Sequence, residues 1–328
     1  MSPGEIDAVM PLLLGSGAGA LAWWRIHQRS RTGCAAAAIE QLRHAYLHSS
    51  IHAAKHEREV AEIFKVLRSA GIEPILIKGW AIARAYPETG LRPPGDIDLC
   101  VSPEQTATAK VILNTPEYQQ YWIDLEHDEV DAFDERSFQE LYSNSELLKL
   151  EDTEVRVLGA EDHLRILCVH FLKHGAWRPL WLCDVSAALE SRGPTFDWDR
   201  CLGRNERRAH WVLCAIALAQ QLLGARLGDA PAKARASDLP GWLIPRVLDQ
   251  WNAPYPPNLG APIREYAWEP VKLFKAIRKR WPNPIQATVA ADGRLNGVPR
   301  LPFQIGNCIV RAARLLPELV RFSHDDDG

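Results

Sequence analysis

No two cysteines in this chain are spaced as CxxC, and the seven that occur are odd in number: Cys34, Cys100, Cys168, Cys183, Cys201, Cys214 and Cys308. A zinc ribbon or dithiol redox motif therefore has no sequence support. Most of these cysteines sit inside apolar runs, where a free thiol behaves as a small hydrophobe. That usage suits a reducing compartment and leads us to expect a cytoplasmic protein. Charge of one sign is also lacking. The net charge is -3 and the pI about 6.4, so the whole chain carries no electrostatic footprint for nucleic acid or membrane, and no DNA partner is expected. The one run that resembles a targeting segment, Met10 to Trp24, follows Glu5 and Asp7 instead of a positive region. It is too short to span a bilayer and lacks a convincing cleavage pattern, so it reads as a core helix. Repeats and low-complexity tracts are absent.

What remains is the composition of an ordinary folded protein, with 47% hydrophobic and 24% charged residues. A length of 328 residues gives room for two packed domains. Most of the twelve tryptophans lie from Trp177 onward, which points to large apolar contacts between helices there.

Residues 1–70 read as a helical N-terminal region. Val60, Ile63, Phe64 and Leu67 fall at i, i+3, i+4 and i+7, and Gly71 is placed to end that helix. His48, His52 and His56 share helical spacing. No carboxylate or cysteine joins them at ligand spacing, so a solvated or partly packed face is the expectation, with metal as the sharper alternative. Residues 71–160 read as a core of short strands. Ile72 to Ile77 is β-rich, Ala81 to Tyr86 is helix-compatible, and Pro87 to Gly95 is a loop. Ile97 to Val101 alternates as a second strand. Ser102-Pro103-Glu104 signals a helix start, with the helix running to about Leu113. Tyr121 to Leu125 is the next strand, with Trp122, Asp124 and Glu126 on one face. Leu147 to Leu158 supplies a hairpin or two short strands. From residue 161 onward the pattern is helical, with proline- and glycine-rich connections beyond Gly224.

Chemistry concentrates between Ile75 and Val101. Asp96 and Asp98 alternate along a strand, so both carboxylates leave one face and can share one or two hard cations. Burying two carboxylates without such a partner is costly. A two-metal site needs a third carboxylate from a neighbouring strand, for which Asp124 is the best candidate and Glu126 the reserve. Gly79 permits close approach of the backbone to phosphate. Lys78 adds a point charge, and Arg92 is placed to reach the same phosphates as a fork. The bland readings are a strand-end turn for Gly79 and a surface charge for Arg92.

These residues resemble a family. Lys78-Gly79, Tyr86, Arg92, Gly95-Asp96-Ile97-Asp98-Leu99, Ile123-Asp124-Leu125, the helix with His170 and His174, Trp181 to Asp184 and Arg280-Trp281-Pro282 are similar to the uncharacterised nucleotidyltransferase family of bacterial proteins. That family is a branch of the polymerase-β-like nucleotidyltransferase superfamily. The resemblance implies an α+β fold, a mixed sheet with flanking helices plus helical N- and C-terminal regions. It also implies metal binding by Asp96, Asp98 and Asp124, and nucleotide binding around Lys78, Gly79, Trp80 and Arg92. Two departures stand out. The usual glycine-serine turn is here Gly79-Trp80, which removes the hydroxyl that normally touches the terminal phosphate and leaves Lys78 to compensate. A histidine tends to follow the leucine of the third-carboxylate strand, whereas this chain has Glu126 and then His127.

His170 and His174 lie at i and i+4 of one expected helix, a spacing that can bind zinc, although no glutamate follows His170. A structural or acceptor-pocket role is expected, with Asp184 orienting one imidazole. Lys272, Lys275, Arg278, Lys279 and Arg280 recur at helical spacing up to Trp281. They make either a solvated amphipathic face or a patch for an anionic acceptor such as tRNA. The expected function is metal-dependent transfer of a nucleoside monophosphate from an NTP, ATP among them, to a hydroxyl-bearing acceptor that is a small molecule, a protein or tRNA. Pyrophosphate is released, two Mg²⁺ ions serve as cofactor with Mn²⁺ as substitute, and residues 161–328 present acceptor and base. The alternative is a catalytically degenerate NTP-binding or partner-binding module of the same fold.

Overall fold

The computed structural model describes residues 3–28, 36–125, 136–228, 230–231, 239–252, 269–311 and 313. The chain divides into two compact units. One comprises Met1–His170 with Arg178–Ser237, the other Phe171–Trp177 with Asp238–Gly328.

The first unit opens with α1 (Pro3–Gly15) and α2 (Gly19–Gln28). The Met10–Trp24 run is thus two helices where one was expected. Gly17, at φ 82°, adopts a left-handed conformation that breaks the helix between them. Ile6 and Met10 of α1 pack with Ala38 and Leu42 of α3 (Ala36–Ser69) in a small N-terminal cluster. Helix α3 ends as expected at Gly71. The Gly71 amide donates to the Arg68 carbonyl and the Ile72 amide to the Leu67 carbonyl, each at 2.9 Å.

Five strands follow in a mixed sheet of order β3-β2-β1-β5-β4. β1 (Ile75–Leu76) pairs antiparallel with β2 (Ile97–Cys100) and parallel with β5 (Thr153–Val157). β2 pairs parallel with β3 (Ile123–Leu125), and β4 (Glu146–Leu150) closes a hairpin with β5. Between them lie α4 (Trp80–Ala83), α5 (Thr106–Leu113) and α6 (Phe138–Ser143). Helix α5 ends at Leu113 as its sequence indicates. It is preceded by a 3-10 turn, Pro103–Gln105, so Ser102 precedes that turn and its side chain caps no backbone amide there.

The alternation of side chains explains the layering. Leu76, Ile97, Leu99, Val155 and Val157 form one apolar sheet face, which buries Val60, Ile63, Phe64 and Leu67 of α3 together with Ala109 and Leu113 of α5. This is the core of the unit, and it leaves Asp98 on the opposite face. Helices α7 (Ala160–Lys173), α8 (Pro179–Ser191), α9 (Trp198–Leu202) and α10 (Glu206–Leu223) follow. The last three residues of α7 belong to the second unit. The architecture is the expected α+β one, an open mixed sheet with many flanking helices.

The second unit contains α11 (Leu243–Trp251), α12 (Pro270–Lys279) and α13 (Pro284–Ala290). Asn283 organises it: its Oδ1 accepts from the Ile285 and Gln286 amides, and its Nδ2 donates to the Gly175 carbonyl at 2.9 Å. On α12, Lys272, Lys275, Arg278 and Lys279 are exposed, and so are Val271 and Phe274. Among the described residues, no helix is long and apolar enough to cross a membrane.

Candidate functional site

The site is built by strand register. Asp98 is the direct partner of Asp124 in the parallel pair β2–β3. Asp96 precedes Asp98 by two, so strand alternation puts all three carboxylates on the face opposite the α3 core. Asp96 and Asp124 are exposed and Asp98 is partly covered.

On the other side of β2, the antiparallel register runs Ile75 to Cys100 and Leu76 to Leu99. The Ile77 amide continues it by donating to the Asp98 carbonyl at 3.0 Å. One step further along, the buried Lys78 extends its Nζ to 3.1 Å from Asp98 Oδ1 and 3.5 Å from His170 Nδ1. Next comes Gly79, at φ 64° and ψ -117°. A Cβ there would sit 3.1 Å from the Asp96 carbonyl oxygen. Both the dihedral and the closeness demand glycine, because the turn lies against the backbone of the first aspartate.

Trp80 does not face this opening. Its ring is buried in the α3 core cluster, and its indole Nε1 donates to Glu57 Oε1 at 3.0 Å. Trp80 is thus a core anchor that pins the Gly79 turn to α3.

Arg92 is buried as well, with its fork engaged. Nε lies 3.0 Å from Asp184 Oδ1 and Nη2 3.0 Å from Asp184 Oδ2, while Tyr86 donates its hydroxyl to Oδ1 at 2.8 Å. This bidentate pair ties the loop before Asp96 to α8. Burial, and then the Asp184 charge, push the Tyr86 hydroxyl well above its ordinary pKa, which keeps it a donor. Sequence spacing gave no hint of the Tyr86–Arg92–Asp184 group as a unit. The signal present is that Tyr86, Arg92 and the Trp181 to Asp184 segment all fall among the residues that carry the family resemblance.

His170 reaches the site through Lys78, and its ring stands edge-on to Trp181 with centroids 4.7 Å apart. His174 lies one residue beyond α7, is exposed, and belongs to the second unit. The α3 histidines divide. His48 and His52 are exposed and stack at 4.1 Å, whereas His56 is buried with Nδ1 3.8 Å from Glu59 Oε2. Glu126 and His127 lie outside the described residues.

Among the described residues, no three His, Cys, Asp or Glu side chains converge as a metal-binding cluster. The donor chemistry of Asp96, Asp98 and Asp124 nevertheless suits a hard divalent cation. The Lys78 ammonium beside Asp98 marks that face as one where positive charge is welcome. No curated protein and no solved structure matches the chain significantly. The family model described as "Uncharacterised nucleotidyltransferase" matches residues 3–224, a span that includes every strand and every side chain of the site above. The chain therefore belongs to that uncharacterised nucleotidyltransferase family.

Proposed function

We propose that the protein transfers a nucleoside monophosphate from an NTP, ATP being one candidate, to a hydroxyl-bearing acceptor. The observation that carries this reading is the pairing of Asp98 with Asp124, with Asp96 on the same face and the Lys78-Gly79 turn alongside. The acceptor oxygen attacks the α-phosphorus, a new O–P bond forms, and the bond to pyrophosphate breaks. The hydroxyl proton passes to Asp124, whose exposed carboxylate lies on the edge strand. Lys78 offsets charge gathering on the leaving pyrophosphate, and the Gly79 turn gives the phosphates close access to the backbone. Asp96, Asp98 and Asp124 would hold Mg²⁺ or Mn²⁺. Such a cation, when bound, neutralises the triphosphate and polarises the attacking oxygen.

Arg92 acts in this reading by position. Its grip on Asp184 holds the loop that delivers Asp96, so it sets the carboxylate's place without touching phosphate. The free thiols among the described cysteines suit the reducing conditions of a cytoplasm.

A second reading rests on Lys78. An ammonium that already balances Asp98 serves a module that binds an NTP and does not turn it over. Incubation with isotopically labelled NTPs, Mg²⁺ and a cell extract separates the two. Transfer predicts label in a small-molecule, protein or tRNA fraction, lost in the folded Asp96→Ala/Asp98→Ala double variant. Binding without labelled product in any fraction identifies the module.

A further inference from the structure

The register that builds the acidic face also places one aromatic ring on it. Extending Ile97–Ile123 and Asp98–Asp124 backward by one residue sets Trp122 opposite Asp96, and the Ile97 amide donates to the Trp122 carbonyl at 2.7 Å. Extending the β1–β2 register forward sets Gly79 on the other side of Asp96, where its turn meets the Asp96 carbonyl. Gly79, Asp96 and Trp122 therefore form a row across three adjacent strands. Trp122 alternates with Ile123 and shares the face of Asp124.

Its exposure is out of keeping with the rest of the molecule. Trp122 is 76% exposed and Trp281 41%, and the other described tryptophans are buried or half-buried. An indole left in water beside carboxylates does nothing for the core. A rigid, flat, exposed indole does suit stacking on a second flat ring, which is sequence-tolerant because every base has a π-face.

We propose that Trp122 is the stacking platform for the nucleoside ring at this site. The ring is that of the incoming NTP or of a nucleoside-bearing acceptor. The inference rests on the reading of the acidic face as a nucleotidyl-transfer site, and adds to it a residue that recognises the base where the aspartates and Lys78 deal with phosphate. Trp122 makes its contribution in binding: the ring is held, and the reacting groups are untouched.

The test compares two probes in the presence of Mg²⁺: a non-hydrolysable ATP analogue, which carries a base, and inorganic tripolyphosphate, which does not. Calorimetric affinities are measured for wild type, Trp122→Leu and Trp122→Phe. Exposure of the side chain leaves the fold indifferent to either change, which a thermal melt verifies. We expect Trp122→Leu to bind the analogue about tenfold more weakly and tripolyphosphate as wild type does, with Trp122→Phe restoring most of the loss. If the analogue affinity is unchanged in Trp122→Leu but AMP, offered as an acceptor mimic beside tripolyphosphate, binds more weakly, the ring served is the acceptor's. Equal affinity of wild type and Trp122→Leu for both nucleoside probes overturns the assignment while leaving the transfer reading in place. Failure of wild type to bind either triphosphate overturns both.

Discussion

Lys78 and Asp98 meet across the antiparallel pair β1–β2, with Nζ 3.1 Å from Oδ1 and both side chains largely withdrawn from water. Asp98 in turn is the register partner of Asp124. The lysine thus balances part of an acidic face that otherwise repels itself. Replacing it with alanine removes that balance. Lys78→Ala should lower the melting temperature in metal-free buffer, and added Mg²⁺ should raise it by more in the variant than in wild type. Thermal melts with EDTA and with millimolar Mg²⁺ check this. Identical Mg²⁺ responses would show that the cation and the ammonium do not share the site.

The group Tyr86–Arg92–Asp184 is buried throughout, and its two other members both depend on the Asp184 carboxylate. Asp184→Ala strands the Arg92 guanidinium, for which about 3–5 kcal/mol of stability should be lost. Tyr86→Phe removes one hydrogen bond to a charged oxygen and should cost about 1.5–3 kcal/mol. Urea denaturation of the two variants, each against wild type, gives both values.

Gly79 combines a positive φ with a carbonyl 3.1 Å from any Cβ. Gly79→Ala should cost about 1–3 kcal/mol from the dihedral alone, and the alanine methyl would also push on the Asp96 carbonyl. Nucleotidyl transfer should therefore fall much more than stability does. Activity measured well below the variant's melting temperature separates the two effects.

Two buried histidines make the fold acid-sensitive. Burial, and then the nearby Arg92 charge, lower His56 to a pKa of about 4. Burial, and then Arg84 and Arg92, lower His163 to about 3. In the unfolded chain both take up a proton near pH 6.5, and in the folded chain neither does until well below that. The unfolded state therefore binds more protons below pH 6.5, and stability falls as pH drops from 6.5 toward 4. Each histidine contributes a slope of about 1.4 kcal/mol per pH unit across that window. Urea midpoints between pH 7.5 and 4.5 measure the slope, and His163→Leu should roughly halve the histidine share of it.

Much of this could be read from local pattern. The apolar spacing of Val60, Ile63, Phe64 and Leu67 marked the helix under the sheet, and Asp96-Ile97-Asp98-Leu99 marked a strand with one wet face. Such signals need only a few neighbouring residues. What escaped depends on partners far apart in the chain. The sequence places Arg92 to reach toward phosphate, whereas in the structure its fork meets Asp184, 92 positions away. In the sequence Trp80 stands out as a missing hydroxyl, and its link to Glu57 on α3 is legible only once the helix is laid under the sheet. The break between α1 and α2 leaves no mark in the sequence pattern, because an apolar run conceals a left-handed glycine.

The close approach of Gly79 to the Asp96 backbone bears on how ligands would bind together. The Gly79 turn, which takes the phosphates in the proposed reading, and the strand end that carries the first carboxylate lie too close for a side chain to fit between them without one of them giving way. In that reading the phosphate site and the first metal ligand are neighbours in the backbone, so ordering one helps to order the other. Metal and triphosphate should then bind with reciprocal synergy, each raising the other's affinity by the same factor.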